Sequence, residues 1–346
     1  MALRLLVLRI TEKCDLACSY CYADHGKEKK DMSFETAAKA AALSCPEGGS
    51  LKVQLTGGEP LINFALAEKL KAWAAQSGKK LSFALQTNAT LIDAAMAERI
   101  KALGCSVGVS LDGYGDSNAL RKFPDGRESF SAAAEGIKAL ASAGVFCNLM
   151  CVVTKHNAER LGELADLALY LGNVKGIGLD LVRPCGRASG ADLSPDPKAL
   201  ANGAAELSAK LKELRTLGID IKLREEERIK RRAVLSGGCV YCYAQTADSV
   251  CVDPAGDIWP CSGLASEEGM CLGNINDFNE EDPGPFAGSK AGRPEIARTF
   301  LAPPQECRSC ESFATCLGGC PAGRTGSQAN KGTCVLHNTF LKGASL

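Results

Sequence analysis

The stretch that most constrains this chain is residues 11–24, TEKCDLACSYCYAD, which sets Cys14, Cys18 and Cys21 in a C-x3-C-x2-C array. Thiolates this close in sequence can hold three irons of a cubane [4Fe–4S] cluster. Such cubanes ordinarily take four thiolates, so a run of three leaves one iron without a cysteine. An open coordination position is what a catalytic metal keeps and a structural one closes. Two other readings of the spacing are a zinc knuckle lacking its last ligand and a set of buried apolar thiols.

Composition narrows the class. The 346 residues suffice for one large domain and a smaller one, and 46% apolar content supplies a core. Lys plus Arg (40) equals Asp plus Glu (40), which gives no general electrostatic case for nucleic acid or an anionic membrane. No run approaches the roughly 18 apolar residues of a membrane span. The opening MALRLLVLRIT runs straight into the cysteine array and lacks the layout of a signal peptide. Eighteen cysteines without such a signal read as metal ligands rather than disulfides. The expectation is a cytoplasmic, oxygen-sensitive protein.

Up to about residue 218, short β-rich runs alternate with helical patterns. Strands are expected at 3–11, 51–57, 81–88, 106–112, 147–154 and 176–183. Helices are expected at 33–45, 64–77, 93–103, 130–143 and 158–171, Ala- and Leu-rich with apolar residues at i, i+3 and i+4. This alternation argues for βαβ units and a parallel sheet. Residues 195–235 read as a long helix followed by the charged run KLREEERIKRR (222–232), expected to be a solvated helix face or linker, a charged linker or helix at 221–238. From Cys239 on, ten of the eighteen cysteines gather.

The C-x3-C-x2-C loop, with Tyr20 before its last cysteine and a short apolar strand ahead of it, resembles that of radical S-adenosylmethionine (radical SAM) enzymes. The resemblance implies an α/β fold, a partial (β/α)6 TIM-like barrel over residues 1–220. It also implies that the amino and carboxylate groups of S-adenosylmethionine fill the open iron, where one electron cleaves the cofactor to a 5′-deoxyadenosyl radical. Barrel sites gather at the C-terminal strand ends, and the other motifs fall there. LTGGEPLI (Gly57, Gly58, Glu59, Pro60) could be an ordinary strand-to-helix turn. After this cysteine loop it resembles the family's motif for the cofactor amino group, with Glu59 as acceptor and glycines that admit close backbone approach. QTNAT, containing Asn88, and VSLDG, containing Ser110 and Asp112, resemble stretches lining the cofactor and substrate cavity. Asp112 joins the three cysteines as a catalytic candidate. Arg121, with Gly126 and Phe130, fits an R-x4-G-x3-F pattern whose arginine can pair bidentately with the cofactor carboxylate. Leu181 and Val182 would pack on the adenine or serve as core.

The tail, 239–346, resembles the SPASM extension. Cys242-x13-Gly256-x4-Cys261, then Cys307-x2-Cys310-x5-Cys316-x3-Cys320, then Cys334, reproduce its seven-cysteine pattern. Paired C-x2-C units also occur in zinc ribbons. The resemblance implies two auxiliary [4Fe–4S] clusters, three in all. Cys307, Cys310, Cys316 and Cys334 would hold the outer one. Cys242, Cys261 and Cys320 would hold the inner one, with Cys239, Cys251 or the substrate completing it and Cys239 favoured. Cys45, Cys105, Cys147 and Cys151 are expected in the core, Cys271 is not expected to be a ligand, and Cys185 could reach the cavity.

Proteins with this tail mostly modify peptides or proteins, so the expected activity is hydrogen abstraction from a ribosomally made peptide. Crosslinking, epimerisation or oxidation would follow. Alternatives are a formylglycine-generating sulfatase maturase, a small-molecule enzyme of the haem-precursor type, and a non-catalytic iron–sulfur electron carrier. Sulfatase maturases carry an aspartate directly after the G-x4-C cysteine, where this chain has Ser262. Expected partners are a peptide or protein substrate and a flavodoxin or ferredoxin donor. Because Cys14 lies too near the N-terminus for a leader-binding domain ahead of it, any leader would need a separate leader-peptide-binding protein or another surface.

Overall fold

The computed structural model describes residues 3–23, 29–234, 242–265, 267–288, 293–324 and 328–343. Six parallel strands follow one another around an open barrel: β1 (Leu5–Thr11), β2 (Ser50–Gly57), β3 (Lys80–Thr87), β4 (Ser106–Ser110), β5 (Cys147–Val153) and β6 (Val174–Leu181). Between them run α1 (Phe34–Ser44), α2 (Phe64–Gln76), α3 (Ala94–Leu103), α4 (Phe130–Ser142) and α5 (Glu163–Leu171), with α6 (Pro197–Thr216) after β6. Helices cover the outer face, so β1 is buried at every position from Leu6 to Thr11, where a half-solvated strand would alternate. The expected partial barrel is thus present, each strand within three residues of its expected bounds.

Local chemistry sets the helix ends. Asp93 accepts the Met96 amide at 2.7 Å to start α3, and Gly104, at φ 71°, closes it in the left-handed conformation. Asp196 caps α6 through the Lys198 and Ala199 amides, with Pro197 in the first turn.

One region differs in part from the sequence reading. The charged run at 222–232 is largely helical, as that reading allows, but the helix is not wholly solvated. After α6 the chain turns at Gly218, φ 80°, and forms β7 (Lys222–Leu223), which pairs parallel with β6, then α7 (Arg224–Val234). Glu226 and Ile229 of α7 are buried, and Glu226 takes the Ser208 hydroxyl at 2.6 Å. The charges that pattern as a solvated face are partly spent on closing the barrel's side. In the tail, the hairpin of β8 (Ser249–Val252) and β9 (Ile258–Trp259) joins the barrel sheet. β8 pairs parallel with β1, giving one nine-stranded sheet in the order β7-β6-β5-β4-β3-β2-β1-β8-β9. Gly256 turns this hairpin at φ 87°, where a Cβ would meet Ile275 at 2.6 Å. The C-terminal helix Lys331–Gly343 packs on α6 and sends Phe340 into the main core.

Candidate active site

The cysteine loop leaves β1 at Thr11 and crosses the C-terminal end of the barrel. Its backbone is tied down by the loops after three other strands. After β2, the Gly58 and Glu59 amides donate to Thr11 and Lys13 carbonyls, each at 2.8 Å. After β4, the Lys122 and Leu120 carbonyls accept from Ala17 and Ser19 at 2.7 and 2.9 Å. After β6, Arg187 donates its amide to the Cys21 carbonyl at 3.0 Å and a guanidinium N–H to the Cys18 carbonyl at 3.1 Å. The two glycines of GGEP serve this docking. A Cβ on Gly57 would fall 2.1 Å from the Thr11 oxygen, and one on Gly58 would fall 2.1 Å from the Lys13 oxygen. What approaches these glycines closely is the cluster loop itself.

Cys14, Cys18 and Cys21 are half-buried and face one cavity of about 630 Å³, a volume typical of small-molecule sites. Burial pushes the Cys14 thiol up to about 12 and raises Cys18 as well, against the pull of Arg121. Metal binding is what deprotonates such thiols. Tyr20, Gly57, Gly58, Glu59, Asn88, Ser110, Arg121 and Leu181 line the same cavity, so the structure brings these expected residues together. Pro60 and Asp112 are not among its lining. Pro60 starts the 3-10 turn Pro60–Asn63 behind Glu59.

Glu59 is buried at the β2 end and bridges to β3. One carboxylate oxygen accepts from the Leu61 amide (3.1 Å) and the Thr87 hydroxyl (2.7 Å), the other from the Asn88 amide (2.8 Å). Burial drives its pKa up to about 7 against these three donors. Asn88 in turn donates to Asp15 at 2.8 Å, another clasp on the cysteine loop. Ser110 accepts from Gln86 at 2.9 Å.

Asp112 sits behind the cavity wall. One oxygen accepts the Val152 amide at 2.8 Å; the other takes the Tyr20 hydroxyl in a short hydrogen bond and lies 3.1 Å from Arg121 Nε. Arg121 stacks over the Tyr20 ring, 5.4 Å from its centroid. The carboxylate is thus committed to holding Tyr20 and Arg121. In this geometry Arg121 and Tyr20 meet the cavity and Asp112 orients them.

The tail cysteines fall into two groups by electrostatic neighbourhood. Cys242, Cys261 and Cys320 lie within reach of one another; Cys307 lies within reach of Cys310, Cys316 and Cys334, and Cys334 within reach of Cys310 and Cys316. Cys239 lies outside the described residues. Cys251 is wholly buried, opposite Val7 of β1 and Trp259 of β9. Among the described residues no three His, Cys, Asp or Glu side chains converge on a point that one ion could fill. Cubane ligands sit on separate irons and need not converge in that way. Cys45, Cys147 and Cys151 are buried, Cys105 is half-buried and Cys271 is exposed. Cys185 is half-buried beside Arg183 and Cys21 and is not among the cavity's lining.

Sequence reasoning missed several lining residues. Tyr22 donates to or accepts from the Ser262 hydroxyl at 3.4 Å, which joins the cysteine loop to the tail. Arg183, two residues past β6, and Arg224 and Arg228 of α7 bring cationic groups to the wall. The strand-end rule could have found Arg183; nothing local marks the α7 pair.

The radical SAM superfamily model matches residues 8–168. An uncharacterized protein, MJ0907 of Methanocaldococcus jannaschii, is 35% identical over 278 residues, 80% of this chain and 90% of its own length. Mycofactocin maturase MftC of Mycolicibacterium smegmatis is 28% identical across 92% of this chain and 78% of its own. The solved structure of anSMEcpe with bound AdoMet and the Kp18Cys peptide shares the fold. It superposes with a TM-score of 0.80 at 22% identity, covering 99% of this chain and 96% of that one.

Proposed function

The chain belongs to the radical SAM superfamily, and from that premise we propose that it cleaves S-adenosylmethionine reductively and abstracts hydrogen from a ribosomally made peptide. The observation that carries this reading is the shared cavity. The three cysteines, the residues placed to hold a cofactor, and Ser262 of the tail all face it. The donor set also suits the implied cluster: three thiols on a loop docked through a glycine cradle that any Cβ would block.

In this reading Cys14, Cys18 and Cys21 hold a cubane with one open iron. The cofactor, when bound there and given one electron, supplies the 5′-deoxyadenosyl radical. Glu59 accepts an N–H from the cofactor amino group, beside Gly57, Gly58 and Asn88. Arg121 meets its carboxylate, held in place by Asp112 and Tyr20. Ser110 and Leu181 face the rest of the cofactor. Cys242, Cys261 and Cys320, with Cys239, hold an inner auxiliary cluster, and Cys307, Cys310, Cys316 and Cys334 an outer one. The tail, 239–346, adds these to the barrel of 1–220. A reduced flavodoxin or ferredoxin in the cytoplasm supplies electrons.

Relatives named PqqA peptide cyclase and mycofactocin maturase match this chain over about nine-tenths of its length, which favours a peptide substrate. Formylglycine formation is disfavoured because Ser262 stands where a base would be needed. Its hydroxyl engages Tyr22, and a serine is not basic near neutral pH without an activating group. The test is mass spectrometry after incubation with S-adenosylmethionine and dithionite in deuterated water. A precursor peptide encoded beside the gene should lose one or two hydrogens, or exchange one on epimerisation. Peptides carrying C-x-P-x-R or S-x-P-x-R should stay unmodified. Formylglycine on the latter would overturn the assignment.

A further inference from the structure

Arg183 stands between the barrel cavity and the tail. It lines the large cavity and also a smaller pocket that touches Cys316 and Cys320. Its guanidinium lies over the Tyr22 ring, 5.1 Å from the centroid. On the tail side is Gly263, where a Cβ would fall 1.9 Å from Arg183 Nη1. In this position the guanidinium occupies the space beside Gly263, two residues past Cys261.

Despite that seat, Nη1 is buried and has no hydrogen-bond partner among the described residues. The nearby carboxylate of Asp180 lies 3.0 Å from Arg224. A guanidinium removed from water is strongly disfavoured unless an anion or acceptor meets it. Within electrostatic reach are Cys320, Tyr22, Asp180 and Cys261; Tyr22 offers its ring face and Asp180 is paired with Arg224, which leaves the sulfurs of Cys320 and Cys261. Arg324, also near the tail cysteines, is more fully engaged: its Nη1 and Nη2 groups donate to the carbonyls of Phe300, Ala302, Gly318 and Gly319, and its buried Nε alone lacks a partner among the described residues.

We propose that Arg183 is the cationic partner of the cluster held by Cys242, Cys261 and Cys320, and that it raises that cluster's reduction potential. The inference rests on the reading that the tail cysteines hold auxiliary clusters. One-electron reduction adds a negative charge to the cubane, and a fixed positive charge beside it favours the reduced state. Because Arg183 also contacts Tyr22, next to Cys21, it couples the charge of the inner cluster to the wall of the cofactor cavity.

The test is a redox titration followed by electron paramagnetic resonance, in full-length protein carrying Cys14→Ala, Cys18→Ala and Cys21→Ala so that only tail clusters contribute. Arg183→Gln should move one of the two tail potentials negative. The expected size is at least tenfold in the reduced-to-oxidised ratio at fixed potential, 59 mV for one electron. The other potential should stay in place, and Arg183→Lys, which keeps the charge, should recover at least half of the shift. Unmoved potentials at full iron content would overturn the proposal, as would equal shifts in the Gln and Lys variants. If Arg183→Gln loses iron, Arg183→Lys decides: retained iron at the wild-type potential supports the proposal, and loss in both overturns it. A triple-alanine protein without iron would instead remove the auxiliary-cluster reading itself, before any potential is measured, and this inference with it.

Discussion

Replacing Gly58 by alanine tests why the GGEP turn has its glycines. The new Cβ would stand 2.1 Å from the Lys13 oxygen, 2.6 Å from its carbonyl carbon and 2.9 Å from the Glu12 oxygen. All three are backbone atoms, so no side chain can swing aside. Relief requires the 12–14 backbone to move, which breaks the Gly58-to-Thr11 and Glu59-to-Lys13 hydrogen bonds, both 2.8 Å. Overpacking costs about 1–3 kcal/mol, and two backbone hydrogen bonds are worth about 1 kcal/mol each. The total is about 3–5 kcal/mol, concentrated on the loop that carries Cys14. Gly78→Ala is the control: φ is 65° but nothing lies within 4 Å of its Cβ position, so only the left-handed strain of about 1–2 kcal/mol remains. Anaerobic reconstitution followed by iron analysis and urea denaturation reads both effects. Gly58→Ala should lose about four irons, one cubane's worth, and Gly78→Ala none. A Gly58→Ala protein with full iron and wild-type cofactor affinity would refute the claim that these glycines exist for the cluster loop.

Changing Cys14, Cys18 and Cys21 to alanine should lower reconstituted iron from about twelve to about eight per chain; zinc in place of iron, or no loss, contradicts the ligand assignment. Glu59 gives a pH signature. Its carboxyl is raised from 4.5 to about 7 in the fold, so between those values the folded chain holds more protons than the unfolded one. Its contribution to stability is therefore greatest below about 4.5 and falls as pH rises through 7. The ionised form accepts the cofactor's N–H, so S-adenosylmethionine affinity should rise roughly fivefold from pH 6 to 7, nearly twofold more by about pH 8, and level off above that. Glu59→Gln should flatten this rise and leave only the cofactor's own amino-group titration; superimposable wild-type and variant profiles in equilibrium binding would dismiss the role.

How much of this was legible in sequence depends on how local the cause is. The six strands and the cysteine spacings are written in neighbouring residues, and they appear in the structure close to where periodicity places them. The role of Gly58 is not local: its neighbours, Glu12 and Lys13, are about 45 positions away and become visible only once β1 and β2 pair. Asp112 looked like a cavity residue because VSLDG ends a strand. The pleat instead turns its carboxylate toward Val152, Tyr20 and Arg121, behind the wall. The α7 charges read as solvated because their mixed signs suit water. Burial of Glu226 against Ser208 depends on where α6 lies, which no short window reports. Arg183 carried no motif, and its significance comes from a missing hydrogen-bond partner.

The central claim is that the Cys14, Cys18 and Cys21 loop carries an open iron at which S-adenosylmethionine is cleaved reductively. The most direct measurement is product analysis by liquid chromatography and mass spectrometry, after anaerobic incubation of reconstituted protein with S-adenosylmethionine and dithionite or reduced flavodoxin. The account predicts 5′-deoxyadenosine and methionine from the wild-type chain and neither from the triple-alanine variant. Turnover to S-adenosylhomocysteine, or equal 5′-deoxyadenosine from both proteins, would contradict it.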